Sequence, residues 1–84
     1  MRRLLQRINT GLYYQGPGAW TRDPNMALSF HRTSGAIACC IREQLSDMQV
    51  VLKFEDSSFD VRIPCFLEEM HHVAASEAGA HRHA

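Results

Sequence analysis

The sequence predicts a small α+β domain of two layers, an antiparallel sheet of three or four strands packed on one main helix. Three observations predict it. Residues 49–54 and 59–63 are two short stretches of strand character, separated by the turn-forming Glu55-Asp56-Ser57-Ser58. Residues 12–21 form a second strand–turn–strand pattern around Gly16-Pro17-Gly18. Between them, Ile37, Cys40, Ile41, Leu45 and Met48 fall on one helical face. The predicted order is β-β-α-β-β with a short C-terminal helical segment, residues 1–72 forming the domain and residues 73–84 a disordered tail.

At the N-terminus, Leu4-Leu5-Gln6-Arg7-Ile8 is a short, partly apolar run that reads as a strand and also fits a helical turn. Leu12-Tyr13-Tyr14-Gln15 has strand propensity, and Ala19-Trp20-Thr21 returns from the glycine turn, so that Tyr13 or Tyr14 is able to pair across with Trp20. Asp23 followed by Pro24 is a helix start, because the Asp side chain caps and Pro at the first helical position gives up only an N–H that has no partner. That helix is one turn, about residues 24–28. The main helix opens at Thr33-Ser34-Gly35, with Thr33 or Ser34 as cap, and ends near Ser46-Asp47. In the second hairpin Val50, Leu52 and Phe54 share one side and Phe59, Val61 and Ile63 face inward, with Val51 and Lys53 on the other side, which faces water. Lys53 pairs with Asp60, or Arg62 with Glu55, depending on register, and Pro64 stops the ladder. Cys65 to His72 has the spacing of two helical turns, with Phe66, Leu67 and Met70 on the packing side. The predicted core is Leu12, Tyr14, Trp20, Leu28, Phe30, Ile37, Cys40, Ile41, Leu45, Val50, Leu52, Phe54, Phe59, Val61 and Ile63.

The stretch Gly18-Ala-Trp20-Thr21-Arg-Asp23-Pro-Asn-Met-Ala27-Leu-Ser-Phe30 resembles the G-x-W-T-x-D-x-x-x-A-x-x-F stretch of small uncharacterised bacterial proteins. At the level of pattern the resemblance covers residues 12–63. It implies a glycine-turn hairpin leading into a helix that packs on a sheet, and it brings no activity with it.

Composition narrows the functional classes. The chain has 84 residues, of which 45% are hydrophobic and 21% charged, which is globular composition. No apolar run approaches the length of a membrane span, and the basic start lacks the apolar stretch of a secretory signal. Three cysteines, two of them adjacent, do not make a disulfide framework and point to reduced thiols in a cytoplasm. The net charge is zero, but residues 1–42 carry six arginines against Asp23 alone, while residues 43–84 carry three basic residues against eight acids.

Candidate chemistry is sparse. The histidines and cysteines lack the paired spacing of a structural zinc site, and Cys39 and Cys40 point about 100° apart on a helix. No cofactor or metal is expected. Cys39 with His31 is the one thiol–base pairing to consider, and spacing alone does not establish contact. The carboxylates Glu55, Asp56, Asp60 and Glu68, Glu69 read as solvated. The leading expectation is a non-catalytic protein-interaction or regulatory module, a monomer or weak homodimer, with Phe66, Leu67 and Met70 as partner contacts. The alternative is weak nucleic-acid binding through the Arg-rich half, using Arg7, Arg22, Arg32 and Arg42 with the nearby aromatic rings.

Overall fold

A computed structural model describes residues 1–65. The chain runs through β1 (Arg2–Arg7), β2 (Tyr13–Gly16), β3 (Ala19–Thr21), a 3-10 turn at Pro24–Met26, α1 (Thr33–Arg42), β4 (Met48–Lys53), a second 3-10 turn at Ser57–Phe59, and β5 (Val61–Cys65). The five strands form one antiparallel sheet in the order β3-β2-β1-β4-β5. The α+β class and both predicted hairpins are present. The expected three or four strands in the order β-β-α-β-β become five in the order β-β-β-α-β-β, because the 4–8 run is a full strand and the central one. The predicted segment from Phe66 to His72 and the tail at 73–84 lie outside the described residues.

Residues paired across antiparallel strands point to the same side of the sheet. Arg3, Leu5 and Arg7 of β1 therefore share a face with Leu52, Val50 and Met48 of β4 and with Val61, Ile63 and Cys65 of β5. α1 lies on this face, over β1 and β4. Ala36, Cys39 and Cys40 are buried against Leu5, Tyr14, Met48 and Val50, and Ile37, Ile41 and Leu45 pack around them. Of the predicted stripe Ile37, Cys40 and Ile41 lie on α1, whereas Leu45 follows the helix and Met48 opens β4.

The opposite face is also covered. Leu4, Tyr13 and Val51 are buried there with Ala27 against them. Arg2 ties this cover down, donating to the Pro24 carbonyl at 2.8 Å and to Asn25 Oδ1 at 3.3 Å. The chain then passes to the helix-bearing side between β2 and β1: the Leu28 amide donates to the Tyr14 carbonyl at 3.0 Å and the Phe30 amide to the Arg3 carbonyl at 2.8 Å. The Phe30 ring stacks on Tyr14 at 6.5 Å. Adjacent leucines, Leu4 and Leu5, are thus both fully buried, one on each face. This corrects the expectation that the Val51 side of the hairpin faces water. The polar exception on that face, Gln6, is satisfied by the Gly11 carbonyl and by the Gln49 side chain.

Local chemistry explains the boundaries. Asp23 accepts the Asn25 amide and Pro24 follows it, as the sequence predicts for that turn. α1 has no side-chain cap, since Arg32 rather than Thr33 or Ser34 occupies the capping position. It stops at Arg42, earlier than expected, because Gln44 takes a left-handed φ of 54° and the Leu45 amide turns back to the Cys40 carbonyl. The Tyr14–Trp20 cross-strand pair forms, with ring centroids 5.7 Å apart and edge to face. Lys53 pairs with Asp60 at 2.7 Å, one of the two registers foreseen.

Two expectations about the second hairpin fail. Pro64 does not stop the ladder; it sits inside β5 opposite Gln49. The Ile8 amide bonds the Asp47 carbonyl, so by alternation residues 49, 51 and 53 of β4 turn their backbone groups to β1 and residues 48, 50 and 52 turn theirs to β5. Gln49 and Pro64 are then a pair without hydrogen bonds, and the proline nitrogen faces outward from the sheet edge, where no donor is needed. The second failure concerns the core. Phe54, Phe59, Val61 and Ile63, together with Leu28, are exposed. A helix about 10 Å wide covers about two strands at about 4.8 Å spacing, and α1 sits over β1 and β4, so β5 reaches beyond it.

Candidate functional site

Two surfaces arise from this geometry. The first is an open apolar strip on the helix-bearing face beside α1. Alternation along β4 and β5 brings Leu52, Val61 and Ile63 to that face, and Ile37 and Ile41 border it from the helix, half-buried. Val61 and Ile63 remain 44% and 43% exposed, and at the hairpin tip Phe59 is 67% exposed. Phe54 and Phe59 flank the tip residues Glu55 and Asp56. Isolated exposed apolar side chains are ordinary; a run of them along one strand beside a helix is not.

The tip itself is rigidly built. Asp56 accepts from the amide and hydroxyl of Ser58, and these bonds hold its carboxyl below the usual range. Asp60 accepts from Lys53 and from the Phe54 amide, and the Lys53 bond is the main cause of its own lowered value. Both carboxylates hold the turn together, and the Asp60 side chain is only 3% exposed, which corrects the expectation that this group is solvated.

The second surface is a basic end. Gln6, Tyr13 and Thr21 form one row across β1, β2 and β3, so Arg22 leaves β3 at the end of the sheet that holds Arg7. The α1 end lies there as well: the 43–47 loop leads into Met48, the partner of Arg7. Arg42 stands in the last turn of α1, exposed. The Arg7 guanidinium carbon lies 4.2 Å from the Trp20 ring centre, a cation–π contact. Arg32 belongs elsewhere, since it precedes α1 while Arg42 closes it, about 15 Å away for a ten-residue helix. Three of the four arginines singled out from sequence are therefore at one end, with Trp20 among them. The partner-contact residues Phe66, Leu67 and Met70 lie outside the described residues.

Behind the basic end, Tyr14 donates to Glu43 at 3.3 Å. Its phenol is pushed well above the ordinary range, first by burial and then by Cys39 and Glu43. Cys39, the thiol weighed with His31 as a nucleophile–base pair, is buried on the inner face of α1, whereas His31 is exposed. Among the described residues no group of three or more His, Cys, Asp or Glu side chains is placed to hold a metal ion, and no helix is long and apolar enough to cross a membrane. A depression bordered by Arg2, Asn25, Lys53 and Glu55 has both basic side chains committed, Arg2 to Pro24 and Asn25 and Lys53 to Asp60.

Sequence reasoning missed the strip because it assigned Val61 and Ile63 to the core. The available signal was width: one amphipathic helix does not cover a sheet made of two hairpins and a further strand. Comparison with protein-family models, with curated proteins and with solved structures finds no match.

Proposed function

We propose that the chain is a small, non-catalytic protein-interaction module of the cytoplasm, and that a partner protein packs an apolar element onto the strip formed by Leu52, Phe54, Val61 and Ile63 beside Ile37 and Ile41. The observation that carries this reading is the exposure of Val61 and Ile63 on the face where the rest of the core lies. The sheet edge supports a contact through the face rather than by strand addition. On β5 only Arg62 turns an amide outward, and Pro64 has none to offer. The strip runs along β5 beside α1, and an amphipathic helix laid alongside α1 is the element that covers it. Phe66, Leu67 and Met70 follow Cys65 directly in sequence and extend the candidate contact set.

The test is a photo-crosslinking side chain at position 63 in the cells that make the protein, with position 15 as control, followed by purification of the captured partner. Binding of that partner measured by calorimetry is expected to weaken at least tenfold in Ile63→Arg and to be unchanged in Gln15→Arg. Equal binding by wild type and Ile63→Arg, or equal capture at positions 63 and 15, overturns the reading.

A second reading draws on the basic end: weak nucleic-acid binding through Arg7, Arg22 and Arg42 with Trp20. The row that brings Arg7 and Arg22 to one end of the sheet favours it. Against it, the Arg7 guanidinium covers a face of the Trp20 ring on which a base would stack, Arg32 is remote, and the acidic second half repels a phosphate backbone. Retention of single-stranded RNA on a filter at low salt, lost in Arg22→Glu, supports this second reading; no retention dismisses it.

A further inference from the structure

Two of the thiols stand at one end of the fold, on the same face of the sheet. Cys65 pairs across the β4–β5 ladder with Met48, so it stands on the helix-bearing face at the end where the 43–47 loop delivers the chain to β4. The last turn of α1 stands over the same end, and Cys40 is fully buried there with Met48 and Val50. Cys65 packs against that cluster and is only half-buried, its thiol donating to the Ile63 carbonyl at 3.5 Å. Cys39 is turned the other way, toward Tyr14. Burial first and Cys65 second raise the Cys40 thiol, in keeping with the packing of Cys65 against the cluster that holds Cys40.

We propose that Cys65 and Cys40 are a redox modification site: a small disulfide such as oxidised glutathione enters at Cys65 and is resolved by Cys40, leaving an intramolecular Cys40–Cys65 disulfide that staples α1 to the edge strand β5. In the first step the Cys65 thiolate attacks one sulfur of the glutathione disulfide, forming a mixed disulfide and releasing one glutathione thiolate. In the second, the Cys40 thiolate attacks the Cys65 sulfur and expels the other glutathione. Two protein thiols are oxidised by two electrons, one glutathione disulfide is reduced to two thiols, and the two protons pass to the glutathiones. The half-buried thiol is the point of entry because a fully buried one offers no approach. Burial pushes the Cys40 thiol up to about 12, so the second step is slow near neutrality and follows the small thiolate fraction. The site is independent of the strip reading above.

The full, reduced chain is incubated with millimolar oxidised glutathione, quenched in acid and digested with trypsin without reductant. Mass spectrometry is expected to show glutathione first on Cys65, then its loss as the peptide 33–42 becomes linked to the peptide carrying Cys65. The linking rate is expected to rise about tenfold per pH unit between pH 7 and 9. Fragmentation places the link at Cys40, and Cys39→Ser retains it. A link through Cys39, a link between two chains, or a mixed disulfide that persists at pH 9 overturns the proposal. Wild-type peptide mapping decides among these outcomes, so no variant that unfolds obscures the result.

Discussion

Trp20 and its neighbours show how much one aromatic cluster carries in a chain of this size. The ring meets Tyr14 edge-on and the Arg7 guanidinium over its face, while Phe30 stacks on the other side of Tyr14. Trp20→Ala is expected to cost about 3 kcal/mol in urea unfolding, the low end for such a truncation because the ring is half-buried. The same cluster sets an alkaline limit. Tyr14 and Cys40 both have raised values in the folded state, so each contributes stability that is fully present below its unfolded value and is lost as pH rises toward the folded one. For Cys40 that window opens near pH 9 and closes near 12. Thermal melts are expected to be flat from pH 6 to 8 and to fall steadily above pH 9, and Cys40→Ala is expected to shallow that fall. An unchanged slope in the variant contradicts the assignment. Residue reading from sequence succeeds where a side chain has one local job, as Asp23 does in capping Asn25. It fails at Val51, which is buried with Leu4, Tyr13 and Ala27, all more than twenty residues earlier in the chain.

Elements were legible wherever turn chemistry marks them. Gly18 supplies the positive φ of 72° that the β2–β3 turn needs, and that hairpin stands where the glycines place it. β1 was half legible, because Leu4 and Leu5 are adjacent and each is buried on a different face; such a pattern fits a strand covered on both sides as well as a helical turn. The end of α1 was not legible, since Gln44 gives no sign in sequence of its left-handed backbone. Gln44→Gly is therefore expected to stabilise the domain by about 0.5–1 kcal/mol in urea unfolding, and destabilisation contradicts the cap geometry. Pro64 controls the β5 edge by withholding an outward amide. Pro64→Val is expected to give concentration-dependent self-association in sedimentation equilibrium with little change in the thermal melt. Identical sedimentation of variant and wild type means that the edge is not guarded by this residue.

At the scale of the molecule, both faces of the central strand are sealed, one by α1 and the other by the segment through Ala27, while the β4–β5 hairpin extends past the helix. Periodicity in the 59–63 stretch reports that one side of a strand is apolar; it does not report whether this chain or a partner covers that side. The candidate strip was therefore present in the sequence as residues and hidden as a surface. Its openness is tested most directly by Ile63→Thr in the full chain, which keeps a β-branched side chain and removes apolar volume. Urea unfolding is expected to change by less than about 1 kcal/mol, as at an exposed strand position. A loss of about 2 kcal/mol or more means that Ile63 is packed within the molecule, and the strip is then part of the core rather than a place for a partner.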